Sequence, residues 1–522
     1  MVAAGRRIAL AACAAFAVLG PGAAGAQPPV TALDEIFSPD KGGVPYPFEA
    51  LVKALEDRIA PARLRTALVP IGRSLQRFGA DPDYFGSPRI VIAVDSDPAD
   101  GPALKDRLFV GYQPAAGIVE AISYSAASGR FEFRTVEDYG SGKPDLFAPA
   151  ERDICMRCHQ GGAPIFSTPL WGETNGNAAI AARLKPLGTT FHGVPVVQGI
   201  DGPDAFDQAV ERANGLMAAS WLWQAACPDG DAGGACRADL LGAVLRFRLG
   251  GDRATSTDAA LAASLSAALG SAEPEGFALA DFRIPSRDPS LQLDAGAAPG
   301  DIVQAEGVFD PETPRARRVL FETAGDAAAI ADAAIRTLAP LTTDADIALL
   351  DRHLSAASGE TRRFESACLS KTVARGGDRS EIRFTCATNP AFSISGFVVT
   401  AGGAVSEGRI DTLAVAGEAP LNRLKIDPDR SAIDGRTLTL ALVQANGLGA
   451  RLSSGDRLSP LELALDEPWD ATMARIAIHD DGARLSAALA GLAERPDSVL
   501  AHGPFRRRAI MSAIIAALAG GT

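Results

Sequence analysis

The chain of 522 residues carries a formal charge of −13, with 47 % apolar and 22 % charged residues. That composition is globular and excludes wholesale disorder, and at roughly 100–200 residues per domain it fits about three folded units. The acidic balance excludes a general binder of nucleic acid or anionic membrane, since both need a Lys/Arg surplus.

Residues 1–26 read as a secretory signal peptide. Arg6 and Arg7 form its positive start, Ile8 to Leu19 its short apolar stretch, and Ala24-Gly25-Ala26 a small-residue cleavage site before Gln27. The apolar stretch is shorter than the about 20 residues a bilayer span requires. A later one, Ala509 to Ala519, is broken by Ser512 and ends at Gly520. The expectation is an exported protein that does not span the membrane, periplasmic in a Gram-negative cell. Losing Arg6 and Arg7 would make it two charges more acidic.

Residues 27–147 read as an α+β unit. Pro47 to Phe78 carries helical periodicity with breaks. Arg89 to Val94, Arg107 to Tyr112, Ile118 to Ser125 and Arg130 to Val136 read as strands, the last two forming a hairpin about Ala126-Ala127-Ser128-Gly129. This unit leads into a short helix over Pro149 to Cys158, so the sheet either packs on the unit that this helix opens or stands as a separate structural domain.

That helix ends in Cys155-Met156-Arg157-Cys158-His159, the C-x-x-C-H pattern of covalent haem attachment. Two thiols with two residues between them reach the two vinyl groups on one porphyrin edge, and the adjacent histidine turns back to ligate iron. A zinc site would need two further ligands at similar spacing. A thioredoxin-like dithiol has no use for His159, and a disulfide across two residues would be strained.

At these residues the chain resembles the c-type cytochromes, over about residues 148–250. The resemblance implies a helical cytochrome c-like unit with one covalent haem c, thioether bonds from Cys155 and Cys158, and His159 as the proximal axial ligand. Thr168-Pro169-Leu170-Trp171-Gly172 is similar to the family's G-P-x-L-x-G element through Pro169, Leu170 and Gly172, one residue tighter. In the family the proline carbonyl accepts a hydrogen bond from the proximal histidine, a role this likeness gives to Pro169, with Pro164 as its rival. Met217, 58 residues after His159, has the family's separation for a sixth iron ligand and shares an apolar helical face with Phe206, Val210 and Trp221. His192, in a loop bounded by Gly193 and Pro195, is the rival sixth ligand. The remaining alternative is an open sixth position.

Residues 251–355 read as a mostly helical connector, with helices over Thr257 to Leu269, Asp326 to Leu338 and from Thr342 or Thr343 to Leu354, and a loop at Ile284 to Pro289. Residues 356–522 read as a β-rich unit, a small antiparallel sandwich, closed by helices at Ala471 to Ile478 and Phe505 to Ala519. Cys368 and Cys386 lie symmetrically about Gly377 within Arg375-Gly376-Gly377-Asp378, which predicts a hairpin with a cross-strand disulfide. Cys227 and Cys236 bracket a Gly-rich loop and form the second expected pair.

The sequence therefore leads to a multidomain α+β chain: a helical haem unit flanked by an N-terminal α+β unit and a C-terminal antiparallel β-rich unit with helices. The function expected is one-electron transfer by an exported monohaem c-type cytochrome to a redox partner protein with a basic docking patch. The alternatives are a haem-dependent peroxidase or oxygenase with an open distal iron site, and a haem-containing sensor or binding protein.

Overall fold

The computed structural model describes residues 30–520 apart from 60–62, 72–75, 77–78, 81–82, 99–100, 142–145, 169–171, 252–257, 286–310, 357–358, 390, 459 and 467–470. The expected signal peptide and Pro169 lie outside the described residues.

The N-terminal unit opens with helix α1 (Ala32–Ile36), started by a capping box in which Thr31 and Asp34 bond each other's backbone N–H. Helix α2 (Phe48–Glu56) buries Phe48, Leu51 and Leu55, one stripe at helical spacing. An antiparallel meander comes next, in chain order across the sheet: β1 (Leu64–Val69), β2 (Arg89–Val94), β3 (Leu108–Gln113), β4 (Ile118–Ser125), β5 (Arg130–Val136) and β6 (Ala148–Pro149). The helical periodicity expected over 47–78 holds in α2 and at the helical Gln76, but gives way to a strand between them. Leu64–Val69 is a strand paired with β2 from Leu64↔Val94 to Val69↔Arg89. Both faces of this sheet are covered, so neighbours such as Ala67 and Leu68 are both buried and the period-two signal is lost. One face, with Ile90, Val110, Tyr112 and Val119, packs on α1 and α2; the other, with Ala93, Phe109, Tyr124 and Phe131, packs on the helical core.

The chain continues through α3 (Arg152–Cys158), β7 (Phe166–Thr168), α4 (Ala178–Leu184), the small hairpin β8 (Thr190–Phe191) and β9 (Val194–Pro195), and the long α5 (Asp201–Ala225). Helix α6 (Asp231–Leu249) is tied to α5 by the expected Cys227–Cys236 disulfide, Cα–Cα 5.8 Å. Then come α7 (Ala259–Ala272), β10 (Phe277–Ala280), β11 (Arg283–Pro285), β12 (Arg317–Phe321), α8 (Ala327–Leu338) and α9 (Asp344–Ala356). The stretch expected to be a helical connector thus also holds strands: β10 pairs with β12, and β11 runs parallel to β7.

The C-terminal β unit is a closed eight-stranded antiparallel barrel, which corrects the expected sandwich. Its strands are β13 (Thr361–Gly376), β14 (Arg379–Asn389), β15 (Phe392–Ala401), β16 (Ala404–Val415), β17 (Leu421–Asp434), β18 (Thr437–Val443), then, after the two-residue β19 (Arg457–Leu458), β20 (Leu461–Ala464) and β21 (Ala471–His479). The 16-residue β13 closes the ring. Its first half pairs with β21, Thr361↔His479 to Leu369↔Ala471, and its second half with β14. Phe384, Ile394, Val398, Ile410, Leu424, Leu440 and Ile476 fill the interior, and the Cys368–Cys386 disulfide staples the β13–β14 hairpin as expected, Cα–Cα 4.2 Å. Ala471 to Ile478, expected to be a helix, is strand β21, with Thr472, Ala474, Ile476 and Ile478 inward. Helices α10 (Asp481–Ala493) and α11 (Arg507–Gly520) return to the helical core, which Leu485, Leu489, Ile510 and Ile514 share with α5 to α9. Among the described residues no helix is long and apolar enough to cross a membrane.

Candidate functional site

Helix α3 is where the chemistry-bearing residues gather. None of its seven residues is buried, and Ile154 is 51 % exposed. Cys155 and Cys158, three apart and hence on one helix side, are both part-buried and outside any disulfide. His159 caps the helix, its N–H donating to the Cys155 carbonyl at 2.9 Å. Gly162 then turns the chain back at φ +71°, a conformation that favours glycine. The turn brings the Ala163 carbonyl to 2.9 Å from His159 Nδ1. A carbonyl can only accept, so Nδ1 carries the proton and Nε2 keeps its lone pair. Burial brings His159 down to about 4 against the pull of the Ala163 bond, with Arg89 and Arg315 adding to the fall. The ring is neutral and ligand-ready at ordinary pH.

The N-terminal sheet forms the wall beside this loop. Phe133 of β5 meets the His159 ring at 5.3 Å between centroids, and the Arg152 guanidinium lies 5.4 Å from the Phe133 ring. Arg152 also donates to the Phe131 carbonyl at 2.9 Å and pairs with Glu132. Arg89 and Glu120 form an ion pair on the same face, across Gly111, where a Cβ would come within 2.7 Å of Arg89. Burial pushes the Cys155 thiol up, and Glu120 pushes the same way. A catalytic dithiol requires the opposite shift.

A segment much later in the chain fastens the loop. Gln160 Nε2 donates to the carbonyls of Thr313 at 2.9 Å and Pro311 at 3.2 Å, and its Oε1 accepts the Arg315 N–H at 3.1 Å. Arg315 Nη2 donates to the Cys158 carbonyl at 2.8 Å. Sequence reasoning missed this strap because Arg315 lies 155 residues beyond Gln160 and no local pattern links the two. Ala163, too, was missed, although it lies only four residues past His159: any residue can offer a carbonyl, so side-chain chemistry gives no sign of it.

The other expected residues divide between this side of the sheet and the far one. Pro169, given the carbonyl role by resemblance, is outside the described residues, and Ala163 makes that contact here. The carbonyl of its rival Pro164 accepts instead from Asn214 Nδ2 on α5, at 2.9 Å. Met217 is part-buried on α5, three residues beyond Asn214 and four before Trp221. Trp221 stacks on Phe277 of β10 at 4.6 Å, and the far end of β10 backs the loop, where a Cβ on Gly161 would sit 3.5 Å from the Ala280 carbonyl. Met217 therefore stands on the side of α5 that carries both anchors to this region. His192 does not. Its ring packs edge-on against Tyr112 at 5.4 Å and its Nδ1 lies 3.0 Å from Glu49. Tyr112 pairs with Val119 on the α2 side of the sheet, whereas Phe133 pairs with Ile122 on the opposite side. The sheet stands between His192 and His159.

Among the described residues no three His, Cys, Asp or Glu side chains are grouped so as to hold a metal ion by themselves. No protein-family model matches the chain, nor does any curated protein or solved structure.

Proposed function

We propose that this chain is an exported monohaem c-type cytochrome that passes single electrons to a protein partner. The His159–Ala163 contact carries the reading. An axial ligand needs Nδ1 protonated and anchored so that Nε2 keeps its lone pair for the metal, and the Ala163 contact supplies that anchor. The surroundings fit such a group. Two thiols lie on one side of α3, the apolar Ile154 stands exposed, and buried guanidinium nitrogens of Arg315 and Arg89 lack partners. Cys155 and Cys158 would hold the porphyrin by thioether bonds, and His159 would be the proximal ligand.

Haem supplies a reversible one-electron change when bound. The residues around it do the rest. Ala163 fixes the His159 ring, Phe133 shields its face from water, and the strap holds the attachment loop against the sheet. Met217 is the preferred sixth ligand, because the sheet bars His192 as placed. Two cysteine pairs within disulfide distance support an oxidising, exported setting, periplasmic in a Gram-negative cell. An acidic chain favours a redox partner with a basic docking patch.

The test is covalent haem on the full-length chain co-expressed with maturation factors. Haem staining after denaturing electrophoresis is expected for the wild type and lost in Cys155→Ala/Cys158→Ala. Absence of staining in the wild type would sink the proposal. A low-spin spectrum indifferent to carbon monoxide, becoming responsive in Met217→Ala, assigns the sixth ligand. Carbon monoxide binding by the wild type would favour the enzymatic alternative with an open distal site.

A further inference from the structure

We propose that Arg315 sets the reduction potential of the iron held by His159, its pinned positive charge favouring the ferrous over the ferric state. This rests on the haem reading and concerns a residue far outside the attachment motif.

Arg315 cannot turn away from the site. Its backbone N–H is held by Gln160, whose amide also grips the carbonyls of Pro311 and Thr313, and its Nη2 is bonded to the carbonyl of Cys158, the residue before His159. Its Nε and Nη1 are buried without a hydrogen-bond partner. Of the other cations about the loop, Arg152 is paired with Glu132 and Arg89 with Glu120, while Arg157 stands exposed to water. Asp281, the carboxylate whose field reaches Arg315, is itself held by Arg283 through two contacts of 3.0 Å. Among the described residues no carboxylate pairs with Arg315. It is a part-buried cation at the attachment loop, and its buried nitrogens are screened by water and salt less than an exposed charge would be. Its Nη2 bonds the carbonyl that immediately precedes His159, so its field falls on the proximal ligand. Ferric iron carries one positive charge more than ferrous, so the same field raises the potential at which the iron accepts an electron.

The experiment is a spectroelectrochemical titration of the haem-loaded full chain as wild type, Arg315→Gln, Arg315→Lys and Gln160→Ala. Arg315→Gln should shift the midpoint to lower potential while leaving the reduced spectrum unchanged. Arg315→Lys, which keeps the charge, should stay near the wild type. Gln160→Ala should also lower the midpoint, because the unfastened guanidinium escapes into water; it decides the matter if Arg315→Gln does not load haem. A wild-type midpoint in the deciding variant overturns the proposal, as does a shift in Arg315→Lys as large as in Arg315→Gln. A wild-type chain without covalent haem overturns the cytochrome reading instead, and that outcome is seen before any potential is measured.

Discussion

At the scale of single residues, the site depends on backbone that points the right way. Gly162 holds φ +71° so that the Ala163 carbonyl meets His159 Nδ1, and a Cβ there would stand 3.2 Å from the Arg152 guanidinium. Gly162→Val should cost about 1–2 kcal/mol from the left-handed backbone and unfasten the imidazole. The denaturation midpoint checks the first effect; on the proposed haem reading the visible spectrum checks the second, and a wild-type spectrum would show that the anchor is dispensable. Asp207 on α5 offers a different residue-level handle. Burial raises its carboxyl to about 6, with Glu211 and Asp204 pushing the same way and Arg283 and Arg318 opposing. Its Oδ1 is buried without a hydrogen-bond partner. The folded state thus holds the proton between about pH 4 and 6 where the unfolded chain has lost it, so this residue adds stability as pH falls through 6 and costs stability above it. Asp207→Asn should stabilise the protein by about 1–2 kcal/mol at pH 8, after allowance for its partial access to water, and the gain should vanish towards pH 4. Urea denaturation across that range checks both the size and the trend.

At the scale of elements, the barrel is held by close backbone approach as well as by its filled interior. A Cβ on Gly396 in β15 would fall 2.4 Å from the Arg409 carbonyl of β16, an atom the ladder itself fixes in place. Gly396→Ala should therefore destabilise the barrel by about 2 kcal/mol or more, seen as a lower thermal midpoint. The Cys368–Cys386 staple closes 18 residues, and the double serine variant should lose about 3 kcal/mol on the chain-entropy account. These elements differ in how plainly the sequence announces them. Strands β4 and β5 alternate cleanly because their hairpin has two distinct faces, and both cysteine pairs are marked by their spacing. Strand β21 reads as a helix because the good helix formers Ala471, Met473, Ala474, Arg475 and Ala477 run through it, although Thr472, Ala474, Ile476 and Ile478 alternate inward. The motif at 155–159 is contiguous and legible. The contacts that complete it come from Ala163, an ordinary residue, and from 311–315, which no local pattern could connect to it.

At the scale of the whole molecule, the barrel enters and leaves through neighbouring points, Thr361 opposite His479, so it is set between α9 and α10 as an insertion. One buried charge cluster locks it to the helices. Arg451, fully buried, bonds Asp351 of α9 at 2.7 Å and Asp481 of α10 at 2.8 Å, while Arg457 and Arg484 also reach Asp481. Removing Asp481 leaves Asp351 as the one carboxylate on the buried Arg451 and takes the shared acceptor from Arg457 and Arg484, so Asp481→Ala should cost about 3 kcal/mol. Calorimetry should then resolve separate transitions for the barrel and the helical core; a single unshifted transition would deny the cluster that role.

The strap has a consequence in time. A chain made from its N-terminus presents Cys155, Cys158 and His159 long before Pro311, Thr313 and Arg315 exist, since 155 residues separate the two sides of the Gln160–Arg315 bond. During that interval the thiols stand unfastened and open to modification. Once the strap has closed, the same loop is held on two sides. Order of synthesis alone thus gives the thiols their period of access first and their locked geometry second.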